Sequence, residues 1–128
     1  MILDTTFFID FLYNDSGARD KIRELELQNH SLTTTAITVF ELWRGISPLN
    51  HNKIETTNTL LEQVDLHSLN PTAAKIAGRI AYQLKRKGLI LPPEDALIAG
   101  IALEKNEPIL TRNVKHFKLV PELKIETY

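Results

Sequence analysis

Short apolar runs alternate with longer stretches that carry helix start and stop signals, and this alternation limits the chain to a few folds. Met1 to Leu3 is an apolar run ending at Asp4 and reads as a first strand. Ser16 is placed to cap a helix running to about Gln28, with Ala18, Ile22, Leu25 and Leu27 at partly helical spacing. His30 to Thr35 is β-branched and polar by turns, which suits a second strand. Helices are expected around Thr38 to Ile46 and Asn52 to Val64, and a third strand from Asp65 to Leu69. The clearest helix comes next, with Asn70 as N-cap, Pro71 at its first position and Gly88 as its stop. Pro92 and Pro93 then open an apolar helix to about Lys105. Pro108 to Thr111 is a fourth strand, Asn113 to Phe117 a short helix, and Lys124 to Thr127 a last strand. Strands separated by helices favour an α/β fold, a central mostly parallel sheet flanked by helices on both faces. Ligands of such sheets bind outside the carboxyl ends of the strands, where Asp4 and Thr111 stand.

The length of 128 residues fits one domain, residues 1–128. There is no repeat, low-complexity tract or Gly/Ser-rich linker to divide it. The absence of cysteine excludes disulfides, thiolate metal sites and a cysteine nucleophile. The apolar start, MILDTTFFIDFLY, lacks a basic leader region and is interrupted by Asp4 and Asp10, unlike a signal peptide. No run approaches the roughly 18 apolar residues of a membrane span. A cytoplasmic protein is therefore expected. The net charge is −1, so contact with nucleic acid has to come from local basic patches.

Three acids stand where chemistry could be built. Asp4 follows the first strand, where an Asp serves equally as a cap for the next helix. Asp10, in the same apolar stretch, reads as a solvated helix position. Glu41 lies in AITVFELWRGI, a segment apolar most of the way round and hence buried. It either pairs with Arg44 on a narrow exposed stripe or points into a cleft. Asp95 is in the first turn of the helix opened by Pro92 and Pro93, where the helix dipole favours a negative charge and where a site residue would be held firmly. Thr111 and Asn113 suit a turn and a cap, and also offer neutral oxygens to a hydrated cation. If the three acids converge, their mutual repulsion requires a cation, a basic partner or protonation. Hard oxygen ligands without Cys or a paired-His motif favour Mg²⁺ or Mn²⁺ over Zn²⁺. Other catalytic motifs are missing: no H-E-x-x-H, G-x-S-x-G, G-x-x-x-x-G-K or G-x-G-x-x-G run occurs.

Two basic clusters are candidates for RNA. On the helix after Asn70, Ala73, Ala77, Ile80, Ala81 and Leu84 form the apolar face, while Lys75, Arg79, Tyr82 and Arg86 fall within a narrow arc opposite. A basic face with a tyrosine can hold phosphates and stack on a base, although a plain solvated face looks the same. Arg112, Lys115, His116 and Lys118 form the second cluster, beside Thr111 and Asn113.

The segments LDTTFFIDF, TVFELWRGI, PPEDALIAGIAL and ILTRNVKHF together resemble PIN domains, and within them the toxin ribonucleases of VapBC-type toxin–antitoxin pairs. The resemblance runs from end to end. It implies a single PIN-like domain with Asp4, Glu41 and Asp95 as acidic metal ligands, and Thr111 and Asn113 completing the site. Many members of the family carry a fourth acid where this chain has Asn113, which bears on whether one or two metals bind. The implied activity is Mg²⁺-assisted hydrolysis of RNA phosphodiester bonds, with Mn²⁺ as a substitute. A homodimer and a cognate antitoxin, basic where it enters the acidic cleft, are the implied partners. The same fold could instead serve as an RNA-binding or protein-interaction module that cleaves nothing. A phosphatase with Asp4 as nucleophile is a further alternative, against which Thr6 stands where a second Asp would be expected.

Overall fold

The computed structural model describes all 128 residues and forms one five-stranded sheet with seven helices. The strands are β1 (Ile2–Leu3), β2 (Thr33–Thr35), β3 (Asp65–His67), β4 (Ile109–Leu110) and β5 (Ile125–Glu126). The helices are α1 (Thr5–Leu12), α2 (Ser16–Leu27), α3 (Ala36–Arg44), α4 (His51–Leu61), α5 (Pro71–Arg86), α6 (Pro93–Lys105) and α7 (Val114–Phe117). Strand order is β3-β2-β1-β4-β5, and every pairing is parallel. The chain moves outward from β1 to β2 and β3, then returns to place β4 on the other side of β1. That reversal is a topological switch point, and it falls between β1 and β4.

Each strand is only two or three residues long, and helices cover the sheet on both sides. Alternate residues point to opposite faces, so a two-residue strand supplies one side chain to each core. Ile2 and Ile109 join one core with Ala73, Ala77, Ile80 and Leu84 of α5, Ile98 and Ile101 of α6, and Phe117. Leu3 and Leu110 join the other with Phe7 and Phe8 of α1, Ala18 and Leu25 of α2, and Leu42 of α3. The small-residue run of α6 lets that helix sit deep, with Ala96, Ile98, Ala99, Gly100, Ile101 and Ala102 all buried. No helix is long and apolar enough to cross a membrane.

Several element ends differ from the sequence expectation, each for a local reason. Asp15, not Ser16, caps α2: its Oδ1 accepts the Ala18 N–H at 2.9 Å, and Ser16 becomes the first helical residue. Two residues earlier than Thr38, α3 begins at Ala36, because Thr35 Oγ1 accepts the Thr38 N–H at 3.1 Å. The second strand is confined to Thr33–Thr35, without His30 to Leu32. Asn70 and Pro71 start α5 as expected, the Asn70 side chain accepting the Ala73 N–H at 2.8 Å. Gly88, at φ 72°, ends it: the Gly88 N–H donates to Lys85 O at 3.0 Å and the Leu89 N–H to Leu84 O at 2.9 Å, a Schellman closure that needs the left-handed conformation glycine adopts freely.

α5 and α6 form an antiparallel pair whose closeness depends on Gly100. A Cβ there would stand 2.5 Å from the Ala73 carbonyl oxygen and 2.9 Å from the Ala77 Cβ. Gly100→Ala should therefore cost about 1–3 kcal/mol by forcing the two helices apart. Gly78→Ala, whose added methyl meets nothing within 4 Å, should raise stability by about 0.5–1 kcal/mol. Urea melts of both variants check the pair, and an unchanged midpoint for Gly100→Ala would refute the close contact.

Candidate active site

The carboxyl ends of β1 and β4 present Asp4 and Thr111 side by side, the Asp4 N–H donating to Leu110 O at 3.1 Å. Asp4 occupies the N-cap position of α1 with extended backbone, yet its side chain makes no capping bond. Instead its Oδ2 accepts the Thr111 hydroxyl at 2.7 Å and the Thr6 hydroxyl at 3.1 Å. The carboxylate is thus held by two neutral donors, at only 3% exposure and with no ion pair. Burial raises its pKa, and the charge of Asp95 pushes the same way.

Asp95 is placed by α6. Its carboxylate is 8% exposed, and its Oδ2 lies 2.7 Å from His116 Nδ1 of α7 and accepts the Asn113 amide at 3.3 Å. Burial raises its pKa, while His116 and Asn113 act in the opposite sense. Glu41 projects from α3, with Oε1 accepting the Thr5 hydroxyl at 2.7 Å and Oε2 3.9 Å from Arg44 Nη2. Its pKa is raised first by burial and then by the charges of Asp4 and Asp95. Glu41 is thus largely covered, at the outer limit of ion-pair distance from Arg44 and within electrostatic reach of Asp4 and Asp95. Arg44 makes its closer contact elsewhere, 2.9 Å to Glu94 Oε1.

The three acids therefore sense one another electrostatically. They do not close into a ready-made cage, for no three Asp, Glu or His side chains gather into a metal-holding group. Thr111 and Asn113 join the arrangement as expected, Thr111 through Asp4 and Asn113 through Asp95. The Asn113 N–H also donates to Thr111 Oγ1 at 2.9 Å, which locks the segment between β4 and α7.

The basic candidates separate into two kinds. Arg112 is fully engaged within the molecule: its Nη2 meets Asp15 Oδ1 at 2.7 Å, its Nη1 meets Asp10 Oδ2 at 3.1 Å, and its guanidinium lies 4.5 Å from the Tyr128 ring centre. Asp10, expected in solvent, is half-buried and also accepts the Tyr128 hydroxyl at 2.8 Å. Arg112 thus ties the site segment to α1 and to the start of α2. Lys115, and Lys75, Arg79 and Arg86 along α5, are exposed and form no ion pair. Lys75 lies near the crossing of α5 with Gly100, whereas Arg86 ends α5 next to the turn that leads into α6.

Thr5, Thr6 and the bond from His116 to Asp95 are contributions that reading the sequence does not single out. The two threonines follow Asp4 directly, and adjacent hydroxyls behind a strand-end acid are the signal that would have found them. His116 is remote from Asp95 in the chain and carried no such signal.

A family model described as PIN domain matches residues 1–123. The chain is 30% identical over 132 residues to Ribonuclease VapC2 of Rickettsia felis, across 99% of this chain and 96% of that protein. Among solved structures, VapBC2 from Rickettsia felis bound to a promoter DNA fragment shares the fold, with a TM-score of 0.89, 24% identity and coverage of 99% of this chain and 97% of that one. VapBC-1 from nontypeable Haemophilus influenzae aligns with a TM-score of 0.83 and 29% identity, covering 98% and 96%. From its first strand to its final turn, then, this chain belongs to the PIN-domain family, in the company of VapC ribonucleases.

Proposed function

We propose that the chain is a Mg²⁺-dependent endoribonuclease and the toxin of a toxin–antitoxin pair. The observation that carries this reading is the Asp4 carboxylate, buried without a cationic partner and facing Glu41 and Asp95 at the switch point of the sheet. Like charges held this close call for a compensating cation. All the donors are hard oxygens, which fits Mg²⁺, with Mn²⁺ as a substitute. Their spacing short of a closed cage also fits, since Mg²⁺ keeps several waters and binds through few protein carboxylates.

Asp4, Asp95 and Glu41 would hold the cation. When bound it supplies Lewis acidity toward water and the phosphoryl oxygens. The chain's own residues do the positioning. Thr6 and Thr111 orient Asp4, Thr5 orients Glu41, and His116 with Asn113 orients Asp95, so each carboxylate is aimed before substrate arrives. Exposed Lys115 supplies a positive charge for the RNA backbone at the mouth of the site. An intracellular RNA substrate fits a cytoplasmic protein.

A protein partner is supported by apolar surface beside Glu41. Ile9 and Tyr13 of the α1 region and Phe40 and Trp43 of α3 are all exposed. We assign such surfaces to the antitoxin and to a second copy in a homodimer. A solved neighbour of the same fold, VapBC-5 from Mycobacterium tuberculosis, is described as a member of the VapBC family of toxin–antitoxin systems.

Incubating end-labelled RNAs with Mg²⁺ or Mn²⁺, beside EDTA, tests the activity. Asp95→Asn should reduce metal-dependent cleavage by about 10²–10³-fold or more while the protein stays folded, because it removes a charge aimed at the reacting centre. Undiminished turnover would take Asp95 out of the site. Asp4→Asn should have opposite effects on folding and metal. Its amide oxygen can still accept from Thr6 and Thr111. The raised pKa means that the native state favours the neutral acid, so ionised Asp4 costs stability above the ordinary carboxylate value of 3.8. In EDTA the variant should melt a few degrees above the parent, by a margin that widens as pH rises from 4 to 7. Mg²⁺ should stabilise the parent and leave the variant unmoved. A variant that melts below the parent in EDTA, or gains equally from Mg²⁺, would contradict the assignment.

A further inference from the structure

Charge is distributed unevenly along this chain. Between Asp65 and Glu94 there is no acidic residue, yet Lys75, Arg79, Lys85, Arg86 and Lys87 all fall there. All five side chains are exposed, and none forms an ion pair. Arg19, Lys21, Arg23, Arg44, Lys105 and Arg112, by contrast, each have an acidic or amide partner. Helix-dipole complementarity accounts for Lys85 and Arg86 in the last turn of α5. It does not account for the missing acids, nor for Lys75 and Arg79, which stand before the last turn of the helix.

The placement of the cluster adds a direction. Gly100 of α6 meets Ala73 and Ala77 of α5, and the two helices run antiparallel through a short turn. From that crossing Asp95 lies five residues back along α6, and Arg86 and Lys87 lie onward along α5, toward the same end. At 1.5 Å per residue Arg86 lies roughly 6–12 Å past the level of Asp95 on the side of the turn, whereas Lys75 lies near the level of Gly100, about 16 Å from Arg86 along the helix. The turn itself has Leu89 at 39% and Ile90 at 87% exposure, and these flank an open cavity of ≈ 480 Å³ with Ala81, Lys85, Gly88 and Leu91. That volume is within the range of ligand sites, roughly 300–1,000 Å³.

We infer that Lys85, Arg86 and Lys87 grip the backbone of single-stranded RNA leading away from the scissile phosphate, with a base seated against Leu89 and Ile90. The inference rests on the nuclease reading above and adds the route by which substrate leaves the carboxylates. Unpaired cations without intervening acids suit a polyanion, and the exposed apolar side chains beside them offer burial to the face of a base that is free of a paired stack.

The test uses the full-length protein with Asp95→Asn, so that RNA is bound but not cut. Binding of a fluorescent single-stranded oligoribonucleotide is followed from low to high salt, with and without Lys85→Gln, Arg86→Gln and Lys87→Gln together. The triple substitution should weaken binding at least about tenfold at moderate salt and reduce the log–log salt slope by about 2, near 0.7 per lost phosphate contact. Lys75→Gln should leave both nearly unchanged. Equal affinity and slope in the triple variant would overturn the inference. So would a change in oligomeric state by size-exclusion chromatography with RNA binding intact, which would make the turn a contact between copies. Cleavage by the parent protein with Mg²⁺, run alongside, judges the nuclease reading by itself: cutting with an unaffected salt slope removes only the proposed grip.

Discussion

The close approach of α5 to α6 at Gly100 is the constraint on which the remaining geometry rests. Without a side chain at that position, the Ala73 carbonyl can press on the α6 backbone, and α6 sinks until almost its whole length is buried. A helix that deep cannot shift without opening the core, because close-packed interiors transmit displacement rather than absorb it. Its first turn is therefore fixed relative to the sheet, and Asp95 with it. The same hairpin brings the basic end of α5 to the turn side of that carboxylate. One glycine contact thus sets the position of an acid and of the α5 cations on the turn side of it.

Around the acids, local preference and global arrangement part company. Asp4 stands at a helix N-cap and leaves the cap unused, turning to hydroxyls from β4 and α1 instead. Three carboxylates with upward-shifted pKa values share one sheet edge. A chain selected for stability alone would separate them or pair each with a base. Elsewhere this chain does so: Glu107 is met by Thr33, His67 and the Met1 amine, and its pKa is held below the ordinary range. The contrast between one acid whose pKa its partners lower and three whose pKa burial raises, all within one small domain, singles out the three.

Much of the fold is readable from short-range signals. The Asn70-Pro71 start, the Gly88 stop and the opening by Pro92 and Pro93 hold because caps and turns involve residues within a few positions of one another. Where the reading slipped, at Ser16 and at the start of α3, a competent cap stood one to three residues earlier, Asp15 and Thr35, and only the folded backbone shows that it is used. Asp4, Glu41 and Asp95 stand out by their placement after a strand, within an apolar helix and in a first turn. Arg112 is the opposite case. Its partners Asp10, Asp15 and Tyr128 are distant in sequence or scattered, so nothing local shows that a residue in a basic cluster is already engaged.

By itself, the sequence determined the order of strands and helices, the parallel sheet that follows from it, and the three acids we propose as ligands of a hard cation. Periodicity, capping and ligand chemistry are properties of neighbouring residues, and they survive without knowledge of the rest of the chain. Only the tertiary structure decided that Asp4 gives up its cap to Thr6 and Thr111, that His116 and Asn113 hold Asp95, and that Arg112 is spent within the molecule while Lys85, Arg86 and Lys87 are not. These are questions of which polar groups meet across long stretches of chain. Their answers depend on how the two cores pack, which no local pattern contains.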